Sequence, residues 1–283
     1  MNIMPTPSLC EEKNSEEKIF ASAADKVEQV CIAVIDEEDK SSKLSHISLV
    51  RAPVGHLRKK LLILDLNGLL ADIVQPAPKN YKPDFKFAGR AIFKRPFCQD
   101  FLKFCFERFE VGVWSSRIKK NVTRVTDYLL GDMKHKLLLC WDLSYCTPTK
   151  FKTLAEKHKF VVFKELRRIW EKHDRSLPWV KGDYNESNTL LLDDSPYKAL
   201  LNPVLLMGGI KWLDPQGLVY STVIRSGAGG DLRVYLEGLA MAENVQEYVK
   251  QNPFGQRAIT QTSENWEFYQ RVINSLGSLP TRR

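Results

Sequence analysis

Hydrophobic positions in this chain fall into short apolar runs separated by amphipathic stretches, and the alternation begins abruptly at Lys60. Before it, residues 1–58 mix Ser, Glu, Lys and Asp with little periodicity apart from the run 30–35, which predicts a mostly disordered arm. Lys60-Leu61-Leu62-Ile63-Leu64 has the continuous apolar character of a strand buried on both faces, as in a parallel sheet, and a strand is predicted over 60–65. After a Pro-containing loop, Phe85-Lys86-Phe87 and Ala91-Ile92-Phe93 flank Ala88-Gly89-Arg90 and predict a β-hairpin. Phe97, Phe101, Leu102, Phe104 and Cys105 then recur at helical spacing, so a helix is expected over 97–108 with these side chains in the core and Pro96 at its first turn. Further strands are predicted over 110–114, 136–141, 160–163 and 189–192, with helices over 118–130 and 164–172.

Short apolar strands alternating with helices define an α/β class: a doubly wound, mainly parallel sheet carrying a small β-hairpin insertion. Only 49 residues separate Asp65 from Ser115, and the hairpin and one helix consume them, leaving no room for a large cap. Beyond Pro203 the pattern loosens, because residues 205–224 contain Gly208-Gly209 and Asp214-Pro215-Gln216-Gly217 turns without a clear period. Residues 227–230 read as a flexible connection, and Asp231 as the cap of a helix with Leu232, Tyr235, Leu236 and Leu239 on one face. The expected organisation is an arm over 1–58, an α/β domain over 59–250, and a C-terminal helical extension with a frayed tail over 251–283.

At 283 residues and 43% hydrophobic content, the chain can bury a sizeable core. Charge is uneven. Residues 1–50 hold 10 acids against 5 bases, so of the totals of 34 and 42 the remaining 233 residues carry 24 acids and 37 bases. A basic folded part favours acidic partners, but no compact Lys/Arg run points to specific nucleic-acid binding. The six cysteines form no C-x-x-C pair, as expected of reduced thiols in a cytosolic or nuclear protein. No apolar run approaches the roughly 20 residues of a bilayer span. Glu11, Glu12, Glu16 and Glu17 contradict a transit peptide.

Candidate chemistry gathers at predicted strand ends, where open α/β sheets place their ligand sites. Asp65 follows the first strand, Ser115 the second, Lys164 the run 160–163, and Asp193-Asp194 the run 189–192. Each alone has a bland explanation: a helix cap for Ser115, a first-turn surface lysine for Lys164, a turn for Asp193 or Asp194. Together they supply a carboxylate nucleophile, a hydroxyl and an ammonium for phosphate oxygens, and a further carboxylate for a metal, which are the parts of phosphoryl transfer through an aspartyl phosphate. Mg²⁺ takes oxygen ligands and usually only one or two carboxylates, so Asp65 and Asp194, with the backbone carbonyl of Asn67, would suffice.

The segments Leu62-Ile63-Leu64-Asp65-Leu66-Asn67-Gly68, Lys94-Arg95-Pro96-Phe97, Val113-Trp114-Ser115-Ser116, Lys164-Glu165-Leu166 and Leu192-Asp193-Asp194-Ser195-Pro196 resemble the haloacid-dehalogenase superfamily. More narrowly they are similar to its branch of RNA polymerase II C-terminal-domain phosphatases, which includes a mitochondrial inner-membrane import receptor, and within it to plant members. The resemblance covers residues 58–202, with a weaker tail through Asp231 to Leu239. It implies Asp65 as nucleophile and metal ligand, Asn67 at the place of the general acid, and Ser115 and Lys164 as phosphate-binding groups. It also implies Asp194 as second metal ligand and Asp193 as the carboxylate orienting the lysine. Asn67 departs from the family's Asp, and an amide cannot protonate a leaving oxygen, a contribution typically of about 10²- to 10⁴-fold. Leu69 replaces the smaller residue usual there, and residues 205–224 do not follow the family pattern.

Two functions follow and stay open at this level. One is a magnesium-dependent protein serine/threonine phosphatase of weak activity. The other is an inactive, import-receptor-like module that binds phosphorylated protein or extended peptide. A monomer is expected, in nucleus or cytoplasm rather than mitochondrion, since neither presequence nor membrane anchor is visible.

Overall fold

The computed structural model describes residues 59–76, 82–202, 230–255 and 258–277, all within one compact unit, Gly55–Arg283. The expectations for the arm 1–58, for 205–224, for the connection 227–229 and for the tail 278–283 lie outside the described residues. Strand β1 (Leu61–Leu64) has no solvent exposure, as its unbroken apolar run requires. Burying each such aliphatic side chain contributes about 1.5–3 kcal/mol.

Eight more strands and six helices follow in chain order among the described residues: β2 (Ala71–Val74), β3 (Phe85–Phe87), β4 (Arg90–Lys94), α1 (Cys98–Arg108), β5 (Glu110–Trp114), α2 (Lys119–Leu130), β6 (Leu139–Trp141), β7 (Thr147–Lys152), β8 (Phe160–Phe163), α3 (Arg167–Trp170), β9 (Thr189–Leu192), α4 (Asp231–Met241), α5 (Val245–Gln251) and α6 (Trp266–Leu276). The main sheet is parallel throughout, in the order β6-β5-β1-β9. The chain therefore winds from β1 through β5 to β6 on one side and returns to lay β9 against the other side of β1. That is the doubly wound order, and its switch point lies between β1 and β9. Leu64 pairs with Leu192 on β9 and with Val113 on β5, so all three strands end at one level.

Four local differences from the sequence pattern have physical reasons. The expected hairpin is a three-stranded antiparallel sheet, β2-β4-β3, because residues 71–74 alternate buried and half-buried positions and pair with β4. The Arg95–Asp72 ion pair, 2.6 Å long, ties the start of that sheet to the turn before α1. The run 160–163 is not a strand of the main sheet. It pairs antiparallel with β7, which went unread because Pro148 interrupts it and its half-buried face is Thr147, Thr149 and Phe151. Phe97 is not core: it sits at the N-cap of α1 in a left-handed conformation, φ 60°, and is 61% exposed, while Phe101, Leu102, Phe104 and Cys105 are buried as expected. The helix expected over 164–172 is confined to α3, so Lys164 precedes it in extended chain.

A second, smaller apolar cluster joins β8 to α6 through Val161, Phe163 and Val272, with Phe151, Tyr197 and Phe268 packed around them. Cys98, Cys105, Cys140 and Cys146 are free thiols. No described helix is long and apolar enough to cross a membrane.

Gly112 shows how tightly the sheet is faced. A Cβ built there would lie 2.7 Å from Ile63 Cδ1 and 2.8 Å from Leu139 Cγ. Overpacking of this kind costs about 1–3 kcal/mol. Gly112→Ala is expected to lower stability by that amount in urea unfolding with the m-value unchanged, and a variant as stable as wild type would contradict this packing.

Candidate active site

Asp65 leaves β1 at the switch point, where its N–H donates to Leu192 O at 2.9 Å and locks the strand end onto β9. The next residues turn sharply, with Gly68 at φ +81°. A Cβ at Gly68 would stand 2.2 Å from Asp194 Oδ2, so glycine is required for the carboxylate after β9 to approach the turn after β1. Asp193 and Asp194 enter from β9 and Ser115 from β5. Among the described residues, ligand oxygens of Asp65, Asp193 and Asp194 lie within 4.8 Å of one another.

Such a cluster of carboxylates is costly to bury without cations. Two ammonium groups supply them. Lys164 Nζ, wholly buried, lies 3.2 Å from Asp65 Oδ1 and donates a short hydrogen bond to Asp193 Oδ2. Lys198 Nζ lies 2.8 Å from Asp193 Oδ1, 3.0 Å from Asp65 Oδ2 and 3.5 Å from Asp194 Oδ1. Burial works to raise the pKa of Asp193, but the two ammonium groups outweigh it and hold the carboxyl well below its usual range. Asp194 has the opposite balance: burial, with Asp193 and Asp65 nearby, pushes its pKa up to about 6 against the pull of Lys198. Burial alone would also lower the Lys198 pKa, yet its three carboxylate neighbours drive it well above the ordinary lysine value.

The two lysines are held by each other's loops. Lys164 N–H donates to Lys198 O at 2.7 Å, and Asn202 clamps the segment by accepting from Leu166 N–H and donating to Lys164 O, both at 2.8 Å. Lys198 sits on a 3₁₀ turn begun by Pro196, and α6 braces that turn by stacking Tyr269 on Tyr197 at 6.1 Å.

Above the cluster opens a cavity of about 660 Å³ lined by Asp65, Asn67, Ser115, Arg117, Asp194 and Lys198, with Arg90, Glu156, His158 and Lys159 among its other lining groups. Asn67 Oδ1 accepts from Ile73 N–H at 2.9 Å and from Arg117 Nη2 at 3.3 Å. Its oxygen is thereby engaged, and Nδ2 is the group it can offer the cavity. Arg117 Nη2 also donates to Ile73 O at 3.0 Å; burial lowers its pKa while Asp65 counters the shift.

The six residues singled out in the sequence thus converge, with Asp65, Asn67, Ser115 and Asp194 on the cavity and Lys164 and Asp193 beneath it. Sequence reasoning missed Lys198 and Arg117. Both lay within reach of the motifs, four residues after Asp194 and two after Ser115, but neither follows an apolar run.

The sheet order, with acids at the switch point and a hydroxyl on the neighbouring strand, defines a phosphatase-like protein of the haloacid-dehalogenase class. The chain belongs to the NLI interacting factor-like phosphatase family, whose sequence profile matches residues 60–224. It is 28% identical over 210 residues to an uncharacterized FCP1 homology domain-containing protein of Schizosaccharomyces pombe, covering 69% of this chain and 78% of that one. It is 27% identical over 188 residues to a "probable C-terminal domain small phosphatase" of Dictyostelium discoideum, covering 62% of this chain and 52% of that one. Among solved structures it resembles the fission yeast RNA polymerase II CTD phosphatase Fcp1 bound to beryllium fluoride, at 14% identity and a TM-score of 0.34, over 78% of this chain and 63% of that one. The chain thus spans about half of the Dictyostelium relative and under two thirds of the Fcp1 chain.

Removing one partner of a buried charge cluster costs about 3–5 kcal/mol. Because Lys198 would still serve Asp193, Lys164→Met is expected to cost near the lower end, about 3 kcal/mol, in urea unfolding with chelator present. A loss under 1 kcal/mol would mean that Lys164 does not hold this cluster together.

Proposed function

We propose that this chain is a magnesium-dependent phosphoprotein phosphatase acting on phosphoserine or phosphothreonine, slow because Asn67 stands where a general acid would serve. The observation that carries the reading is Asp65 itself. Its carboxylate lines the cavity at the end of β1 and is held between two ammonium groups, Lys164 at 3.2 Å and Lys198 at 3.0 Å.

The donor set fits magnesium, because Asp65 and Asp194 offer hard oxygens and the missing Cβ of Gly68 lets Asp194 close on the turn. Asp65, Asp194 and the Asn67 backbone carbonyl would hold the ion. When bound it would neutralise phosphate charge and act as a Lewis acid. The protein's own groups do the rest. Asp65 attacks phosphorus, the new carboxylate-oxygen–phosphorus bond forms, and the bond to the leaving oxygen breaks with its electron pair staying on that oxygen. Water then attacks the aspartyl phosphate, releasing inorganic phosphate and restoring the carboxylate, and the proton that the water gives up passes through solvent to the departed oxygen. Ser115 and the ammonium charge bind the non-bridging oxygens, and Lys164 with Asp193 keeps Asp65 in place. Asn67 can donate a hydrogen bond to the departing oxygen but no proton.

A missing acid matters most for a poor leaving group, so an aryl phosphate should be the better substrate. Purified protein with Mg²⁺ is expected to hydrolyse a nitrophenyl phosphate slowly, Asp65→Asn to abolish turnover, and Asn67→Asp to raise the rate on a phosphoserine peptide at least tenfold. Absence of turnover in both wild type and Asn67→Asp would sink the enzyme reading. Selective phosphopeptide binding would then favour a binding module.

A further inference from the structure

Two lysines serve the carboxylate cluster, Lys164 and Lys198, and the resemblance to a family assigns a role only to Lys164. Geometry distinguishes them. Lys164 is wholly buried, does not line the cavity, and directs its ammonium to Asp65 Oδ1 and Asp193 Oδ2. Lys198 is also buried, at 2% exposure, but it lines the cavity beside Asp65, Ser115 and Asp194. Its ammonium touches a carboxylate oxygen of the residue that would attack phosphorus, 3.0 Å away at Asp65 Oδ2.

We propose that Lys198 is the phosphate-facing cation of this pocket and that Lys164 is a positioning residue beneath it. The inference rests on the cavity being a phosphate site. In the empty pocket Lys198 is held as counterion by Asp65, Asp193 and Asp194. When a phosphate monoester enters, the same ammonium reaches its non-bridging oxygens without crossing a barrier of protein, because it already stands at the cavity wall. Its carrier is built for position: Pro196 starts the turn, Tyr269 stacks on Tyr197, and Lys198 O accepts from Lys164 N–H.

Charge gives the proposal a signature that mere loosening of the site lacks. Three carboxylates and two ammonium groups leave the core of the site with one net negative charge. Deleting Lys198 makes it more negative, which favours a divalent cation and disfavours a phosphate anion. A loosened or collapsed site would weaken both ligands together, so opposite movement identifies the charge itself.

The experiment titrates the full chain calorimetrically, first with Mg²⁺ alone and then with inorganic phosphate at saturating Mg²⁺, for wild type and Lys198→Met. The expected result is a phosphate Kd raised at least tenfold with a Mg²⁺ Kd that is unchanged or lower. A phosphate Kd within twofold of wild type overturns the assignment of Lys198 while leaving the phosphate site intact. Wild-type protein that binds no phosphate overturns the pocket reading itself. Should Lys198→Met not fold, wild type still decides. Its Lys198 side-chain ammonium resonance, identified by its absence from Lys198→Arg, should shift as phosphate saturates the protein. An unmoved resonance at saturation overturns the proposal.

Discussion

Three carboxylates within 4.8 Å of one another, Asp65 and Asp193 buried and Asp194 half-buried, are the constraint around which the described domain is organised. Such a cluster is unfavourable in a low-dielectric interior unless cations are brought in, and the main sheet supplies none. Lys164 comes from the end of β8 and Lys198 from the turn after β9. Neutralising the acids therefore draws β7 and β8 toward the carboxyl ends of β1 and β9. The contacts of Asn202 and the stacking of Tyr269 on Tyr197 are the scaffolding of that arrangement. Through them α6, remote in sequence from Asp65, helps set where a lysine meets it.

Much of this was legible because parallel sheets leave a plain mark. A strand buried on both faces reads as an unbroken apolar run, and the first polar residue after it stands at the sheet's carboxyl end. Asp65, Ser115 and Asp193-Asp194 were found that way, and β1, β5 and β9 end at one level in register. Lys164 was also found, although β8 lies off the main sheet and reaches the site through antiparallel pairing with β7. The rule of strand ends pointed to a residue that meets the cluster, without describing the topology.

What escaped had no such mark. Lys198 sits on a 3₁₀ turn, and Arg117 in the short segment between β5 and α2. β2 is four residues long and begins almost directly after the turn at Gly68, so its alternation merges with the apolar residues before it. Phe97 matched helical spacing, but spacing cannot reveal a left-handed N-cap that turns the ring to solvent. In each case a non-local partner or one backbone dihedral decided the outcome.

Asn67 also changes in meaning once its neighbours are known. In sequence it is only an amide at the position of an acid. In the folded chain its oxygen accepts from Ile73 N–H and from Arg117, whose other acceptor is the neutral carbonyl of Ile73. A carboxylate at 67 would pair with that guanidinium and cancel its charge. An amide adds no charge there, so the Arg117 guanidinium faces Asp65, Glu156 and Asp194 without a further carboxylate at 67, on a lining that also has Arg90 and Lys159. Under the proposed function, an amide at 67 would withdraw a proton donor and spare the pocket one further negative charge. On that proposal the pocket would lose acid catalysis while keeping its suitability for phosphate.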